Sequence, residues 1–148
     1  LIEGGEERFF SVKNAVNHAT GELVAIHDGV RPLVSQATIE RCFQSAQINK
    51  ASVPVVSVNQ SVRQKVMEGT IAVDRSQYVL VQTPQLVDRN ELINAYPPVS
   101  SPLFPADDSV VEALGIPIHM VIGDEENIKI TTPQDFKFAE FLLSQTEK

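Results

Sequence analysis

Cysteine is almost absent from this chain, basic residues are outnumbered by acidic ones, and no apolar stretch approaches the length of a membrane span. Each shortage removes a class of protein. Cys42 is the single cysteine, so no internal disulfide can form, and no CxxC pair or Cys/His cluster offers a zinc site. Its setting, Glu40-Arg41-Cys42-Phe43, reads as the buried stripe of a helix and so as a structural thiol. Lys and Arg number 12 against 19 Asp and Glu, a formal net charge of -7. Non-specific nucleic-acid binding needs a broad basic face, so no nucleic acid is expected as a partner. A small phosphorylated ligand needs only a few local cations and stays open. The apolar runs fall far short of the roughly 20 residues that cross a bilayer, and no signal peptide is visible, so no membrane is expected and the reading is cytoplasmic. There is no internal repeat and no low-complexity tract. What remains is 148 residues, 43% hydrophobic and 21% charged. That composition suits one globular domain over residues 1–148.

Periodicity alternates between strand and helix. Leu1-Ile2-Glu3 reads as the tail of a strand entering Gly4-Gly5, and a chain that opens inside an element is expected to be part of something longer. Arg8–Ala19 is helical, with Phe9, Val12, Ala15, Val16 and Ala19 on one face. Leu23–Ile26 is a continuous apolar run that suits a strand buried on both faces. Gln36–Ile48 is a helix capped by Ser35, with Ile39, Cys42, Phe43 and Ala46 inward. Ser52–Val58 is a strand. Ser61–Met67 and Thr70–Val73 alternate around Glu68-Gly69 and predict a hairpin arm, within residues 58–83. Tyr78–Val81 returns as a strand, Asp88 caps a helix through Ala95, and Pro97–Pro102 is a loop. Asp107–Leu114 is a helix stopped by Gly115, and Ile118–Ile122 is a strand. Thr132, Pro133 and Asp135 open a last helix, whose Phe136, Ala139, Phe141 and Leu142 are expected to pack on the sheet. This order predicts an α/β fold, an open sheet with helices on both faces and a protruding arm.

Ligands of such sheets sit beyond the carboxyl ends of the strands. Gly4-Gly5-Glu6-Glu7-Arg8 precedes a helix, where paired glycines admit close backbone approach and a helix start attracts anions; a plain turn with a solvated charge run is the plainer reading of the segment alone. His27-Asp28-Gly29-Val30-Arg31-Pro32 follows Leu23–Ile26 directly. A carboxylate there can hold Mg²⁺, which prefers hard oxygen donors, and Arg31 can fork onto a phosphate. Asp28 and Arg31 can equally be a structural ion pair, and a hydrogen-bonded His27 is a plainer reading than a metal ligand. Lys129, in Asn127-Ile128-Lys129-Ile130-Thr131-Thr132-Pro133, can reach a triphosphate or simply be solvated. The arm carries Ser61, Arg63, Lys65 and Arg75; it is either merely exposed or reaches a neighbouring subunit.

Taken together, Gly4–Arg8 with Ser11-Val12, His27–Pro32, Val73-Asp74-Arg75, Gln82-Thr83-Pro84-Gln85, and Asn127–Thr131 with Pro133 and Asp135 resemble the methylerythritol phosphate cytidylyltransferases of the non-mevalonate isoprenoid pathway. The segments stand in the family's order and cover nearly the whole chain. The resemblance implies an open, mostly parallel, Rossmann-like nucleotidyltransferase sheet. It implies a reaction in which a polyol phosphate attacks the α-phosphorus of CTP and releases pyrophosphate, with Mg²⁺ bound. Gly5, Glu6 and Ser11 then fall near the cytidine, and Gly29 beside the ribose. Asp28 falls by the metal and reacting phosphates, and Lys129 near the phosphates. Arg31, Ser61, Arg75 and Thr83 fall around the methylerythritol phosphate, with Asp28, Lys129 and Arg75 the catalytic set. The partners implied are CTP and a sugar-alcohol phosphate, together with a second subunit that the arm reaches in a homodimer.

The chain departs from the family in places. The glycine-rich loop and Pro-Lys pair that open family members are not present, so the chain is expected to be a C-terminal part with little activity alone. Gln60 stands where relatives carry an acidic residue, and Pro105-Ala106-Asp107-Asp108 where they carry a threonine before the acidic pair. Two other readings stand beside the first: a cytidylyltransferase for ribitol 5-phosphate or a related polyol phosphate, and a non-catalytic dimerisation module.

Overall fold

The computed structural model describes residues 1–96, 112 and 115–146. The expected loop Pro97–Pro102, the Pro105–Asp108 stretch and, apart from Glu112, the helix Asp107–Leu114 lie outside those described residues. The elements are α1 (Arg8–His18), β1 (Leu23–Ile26), α2 (Gln36–Asn49), β2 (Ala51–Ser57), β3 (Arg63–Lys65), β4 (Thr70–Ala72), a 3₁₀ turn (Arg75–Gln77), β5 (Val79–Val81), β6 (Gln85–Asp88), α3 (Arg89–Ala95), β7 (His119–Ile122) and α4 (Pro133–Thr146).

Local chemistry sets the helix starts. Ser35 accepts the Thr38 N–H at 3.2 Å and opens α2. The Asp88 carboxylate takes the Asn90 and Glu91 N–H groups and opens α3. Thr132 and Asp135 cap each other reciprocally: Asp135 N–H donates to Thr132 Oγ1, and Thr132 N–H to Asp135 Oδ2. The hairpin turns through Gly69 at φ 95, where a side chain would be strained.

The main sheet is mixed. β2 pairs parallel with β7, but β6 lies antiparallel between β1 and β2, and β5 pairs antiparallel with β2. The expectation of a mostly parallel sheet therefore holds for strand direction only in β1, β2 and β7, which all point one way. The sequence pattern missed β6. Four residues after a proline, with only Leu86 and Val87 apolar, carry too little periodicity to read. Leu1–Glu3, expected as a strand tail, lies outside any strand.

Both faces are covered. Leu86 of β6 packs with Cys42 and Ala46 of α2. Its neighbour Val87 faces the other way, against Val16 of α1, Leu92 and Ala95 of α3, and Tyr96 just after α3. This is strand alternation placing consecutive residues in two cores. Some expected inward positions turn out instead. In α2, Thr38 takes the buried place expected for Phe43, which is 38% exposed, because the stripe runs 38, 42, 46 at four-residue spacing. Among the described residues of α4 only Ala139 is buried, while Phe136 and Phe141 are exposed. Ala15 of α1 is exposed too. The arm, β3 with β4, forms its own two-stranded sheet, and Val66, Met67 and Ile71 on it face solvent.

Candidate functional site

Because β1, β2 and β7 point the same way, the loops leaving their carboxyl ends share one rim. Two of these loops meet there. Lys129 Nζ lies 3.2 Å from Asp28 Oδ2, and Arg31 Nε lies 3.4 Å from the same oxygen. Arg31 also donates from Nη1 to the Asn127 carbonyl at 2.8 Å, which ties the two loops together. The expected meeting of Asp28, Arg31 and Lys129 is therefore present. The Asp28 and Arg31 side chains are 16% and 12% exposed, while Lys129 is about half exposed, so the cations face a surface cleft rather than the core. Arg31, Gln82, Glu125, Asn127 and Lys129 line that cleft. Partial burial pushes the Asp28 carboxyl up, but the hydrogen bond and charge of Lys129, and then those of Arg31, outweigh it and hold Asp28 below the ordinary carboxylate range.

The floor of the rim is polar and buried. Gln82 donates to the Asp124 carbonyl and accepts the Asp124 N–H. Gly123 must lack a side chain, since a Cβ there would fall 2.5 Å from Gln82 Oε1 and 3.0 Å from the Val55 carbonyl. Asn127, wholly buried, donates to the Thr83 carbonyl at 2.8 Å. Its Oδ1 is buried without a described partner. Asp28 N–H donates to Thr83 Oγ1 at 3.1 Å, and Thr83 Oγ1 sits 2.9 Å from His27 Nδ1. Thr83 thus lies directly under Asp28, and His27 is hydrogen-bonded, as its plainer reading had it. Sequence reasoning missed Gln82 and Asn127 as functional residues. Amides inside Gln-Thr-Pro-Gln and Asn-Ile-Lys look like loop polarity, and only the hydrogen-bond partners expose them as a buried scaffold.

The other expected residues fall elsewhere. Ser61 and Arg75 line a separate cleft on the arm with Arg63 and Asp74, where Arg75 Nη1 donates to the Asn59 carbonyl. Within one chain they do not join the Asp28 cluster's cleft. Gly5, Glu6 and Ser11 form a small exposed turn: Gly5 N–H donates to Ser11 Oγ at 2.9 Å, and a Cβ on Gly5 would fall 2.3 Å from the Phe10 Cβ. Gly5 is therefore explained by packing inside the turn. Gly29 is different, because nothing lies within 4 Å of where its Cβ would be, so the protein itself imposes no small residue there.

Among the described residues no group of three His, Cys, Asp or Glu could hold a metal. The Asp28 carboxylate still suits Mg²⁺, which commonly binds through one or two carboxylates and completes its shell with substrate phosphates and water. Asp28 Oδ2 is occupied by cations, which leaves Oδ1 as the oxygen available.

An open α/β sheet whose carboxyl-end rim brings two cations onto one carboxylate beside a cleft is an arrangement able to hold phosphate at the strand ends. The chain belongs to the IspD family, 2-C-methyl-D-erythritol 4-phosphate cytidylyltransferase, whose sequence model matches residues 1–145. It is 50% identical over 144 residues to the protein of that name from Bacteroides fragilis, covering 97% of this chain and 66% of that one. It is 48% identical to the Bacteroides thetaiotaomicron protein of the same name, with the same coverage. The crystal structure of 2-C-methyl-D-erythritol 4-phosphate cytidylyltransferase from Thermus thermophilus superposes with a TM-score of 0.84 at 35% identity, over 95% of this chain and 70% of that one. The bifunctional IspDF from Campylobacter jejuni gives 0.79 at 28% identity, over 92% of this chain and 35% of that one. The chain thus spans just under two thirds of the length of the curated relatives named here.

Proposed function

We propose that the chain serves the transfer of CMP from CTP to 2-C-methyl-D-erythritol 4-phosphate. The convergence of Arg31 and Lys129 on Asp28 carries this reading. An oxygen of the substrate phosphate attacks the α-phosphorus of CTP, the bond from that phosphorus to the bridging oxygen breaks, and pyrophosphate leaves. The step needs no covalent intermediate on the protein. It needs two anions held in line and a positive environment for the charge on their oxygens. Lys129, the more exposed cation, reaches the triphosphate as a point charge, and Arg31 offers its fork to the polyol phosphate. Asp28 Oδ1 would hold Mg²⁺, whose contribution is charge neutralisation on the phosphates. The bare edge at Gly29 leaves room for a ribose, and Gly5, Glu6 and Ser11 serve the cytidine side.

Ser61 and Arg75 act on the polyol phosphate from the arm of a second subunit. Their separation from the Asp28 cleft and the uncovered Val66, Met67 and Ile71 support a homodimer. We place the protein in the cytoplasm. Among the described residues no helix is long and apolar enough to cross a membrane.

The test is pyrophosphate release from CTP by this chain carried within a protein of its relatives' full length, since little turnover is expected of the chain alone, with methylerythritol 4-phosphate or ribitol 5-phosphate as acceptor. Release with the first acceptor, lost in Asp28→Asn and Lys129→Ala, is expected. Release with ribitol 5-phosphate alone would move the substrate, and release unaffected by either substitution would remove the site.

A further inference from the structure

The turn that carries Asp28 and Arg31 is closed by an imidazole. His27 Nε2 lies 3.0 Å from the Arg31 carbonyl, and His27 Nδ1 lies 2.9 Å from Thr83 Oγ1. Asp28 N–H donates to that same hydroxyl oxygen at 3.1 Å. Proton accounting orders the chain. A carbonyl can only accept, so His27 Nε2 must carry the hydrogen that faces Arg31. In the neutral ring Nδ1 is then an acceptor, and the Thr83 hydroxyl supplies it with a proton. The Thr83 oxygen, having given its proton to His27, still accepts from Asp28 N–H. Of the two neutral tautomers, this one satisfies every group in the chain. The opposite neutral tautomer would set two lone pairs against each other at Arg31.

We infer that His27 is a positioning residue: as the Nε2–H tautomer it links the Thr83 hydroxyl to the Arg31 carbonyl, and so fixes the turn that presents Asp28 and Arg31 to phosphate. Thr83 belongs to this latch, with its hydroxyl proton turned toward His27. A second tie holds the partner loop to the same support, since Asn127 donates to the Thr83 carbonyl while its own carbonyl accepts from Arg31. His27 itself is exposed and outside both core clusters, so its removal loosens the turn without opening the core. Groups that orient a ligand-bearing residue in this way typically matter by on the order of 10–100-fold.

The inference rests on the proposed reaction for its kinetic consequence and not for its geometry, so the two are tested separately. Ring-nitrogen NMR of the chain, with the His27 signals assigned by their loss in His27→Gln, is expected to show Nε2 protonated and Nδ1 accepting. In Thr83→Val the Nδ1 shift is expected to move. A protonated Nδ1 with bare Nε2, or a His27 spectrum blind to Thr83→Val, overturns the latch. In CTP turnover, His27→Ala is expected to lower kcat/KM by about 10–100-fold at an almost unchanged unfolding midpoint. His27→Gln, which restores an N–H for the Arg31 carbonyl, recovers most of the loss. The double variant His27→Ala/Thr83→Val is expected to be little worse than either single one. Strictly multiplied losses, or a His27→Ala protein as active as the parent, also overturn the inference. If the parent protein turns over no CTP, the proposed reaction fails, and the nitrogen spectra still decide the latch.

Discussion

At the scale of single residues, the site is a balance of charge around one carboxylate. Asp28 is held ionised by Lys129 and Arg31 against the pull of partial burial. Replacing it with Asn keeps the shape and removes the charge, so turnover is expected to fall by about 10²–10³-fold, the usual cost of losing one electrostatic contact at a reacting phosphate or oxyanion. Steady-state kinetics of Asp28→Asn checks this. The same shift fixes a sign in stability. The folded carboxyl titrates lower than the unfolded one, which titrates near about 3.9. Its contribution is therefore complete by about pH 5, a unit above the unfolded value, and disappears as the pH falls through the folded value. Urea unfolding of the parent and Asp28→Asn should show a constant difference from about pH 5 to 8 that closes only in acid. Cys42 behaves oppositely. Burial pushes its thiol up to about 11, and Arg41 offsets little of that. A thiol reagent at pH 8 is expected to leave the folded protein untouched and to label it once unfolded; rapid labelling of the native chain would contradict the buried placement.

At the scale of elements, the caps set how α2 and α3 begin. Ser35→Ala removes the acceptor of Thr38 N–H and is expected to cost about 1 kcal/mol, read as a lower thermal midpoint with unchanged secondary-structure content. Much of this level was legible in the sequence. Ser35, Asp88 and Thr132 with Asp135 are short polar residues before apolar periodicity, and each caps its helix as that pattern implies. The rim was legible for a related reason. His27–Arg31 and Asn127–Lys129 each follow an apolar strand, and polar residues there have only the sheet's end to occupy. What was not legible needed a partner. Gln85–Asp88 has no strand signature until β1 and β2 flank it, and β6 then reverses the expected pairing. Asn127 and Gln82 are buried by contacts with segments more than 40 positions away, as in the bond from Asn127 to Thr83. Phe43 and Phe141 show the converse, since helical spacing marks an apolar face but not what lies opposite it.

At the scale of the molecule, the arm stands apart from the domain. β3 and β4 bond to each other, and Met67 at the hairpin tip is fully exposed. An isolated two-stranded hairpin is marginal in water, which is the physical ground for the proposed covering of its apolar residues by a second subunit. Met67→Asp with Ile71→Asp is expected to convert a dimer to monomer in sedimentation velocity while the main-domain circular dichroism persists. A parent protein that sediments as a monomer at all concentrations would remove the arm's proposed role.

The insertion of β6 between β1 and β2 has a further consequence for how binding competence arises during folding. Asp28 hangs on Thr83 across 55 positions, and Arg31 on Asn127 across 96. No local stretch carries the cluster of Asp28, Arg31 and Lys129; it exists only after strands from both halves of the chain have been threaded into one sheet. High contact order of this kind delays assembly. Anion affinity should therefore emerge in the final kinetic phase of refolding, and retention of a nucleotide would serve as a reporter of the completed topology.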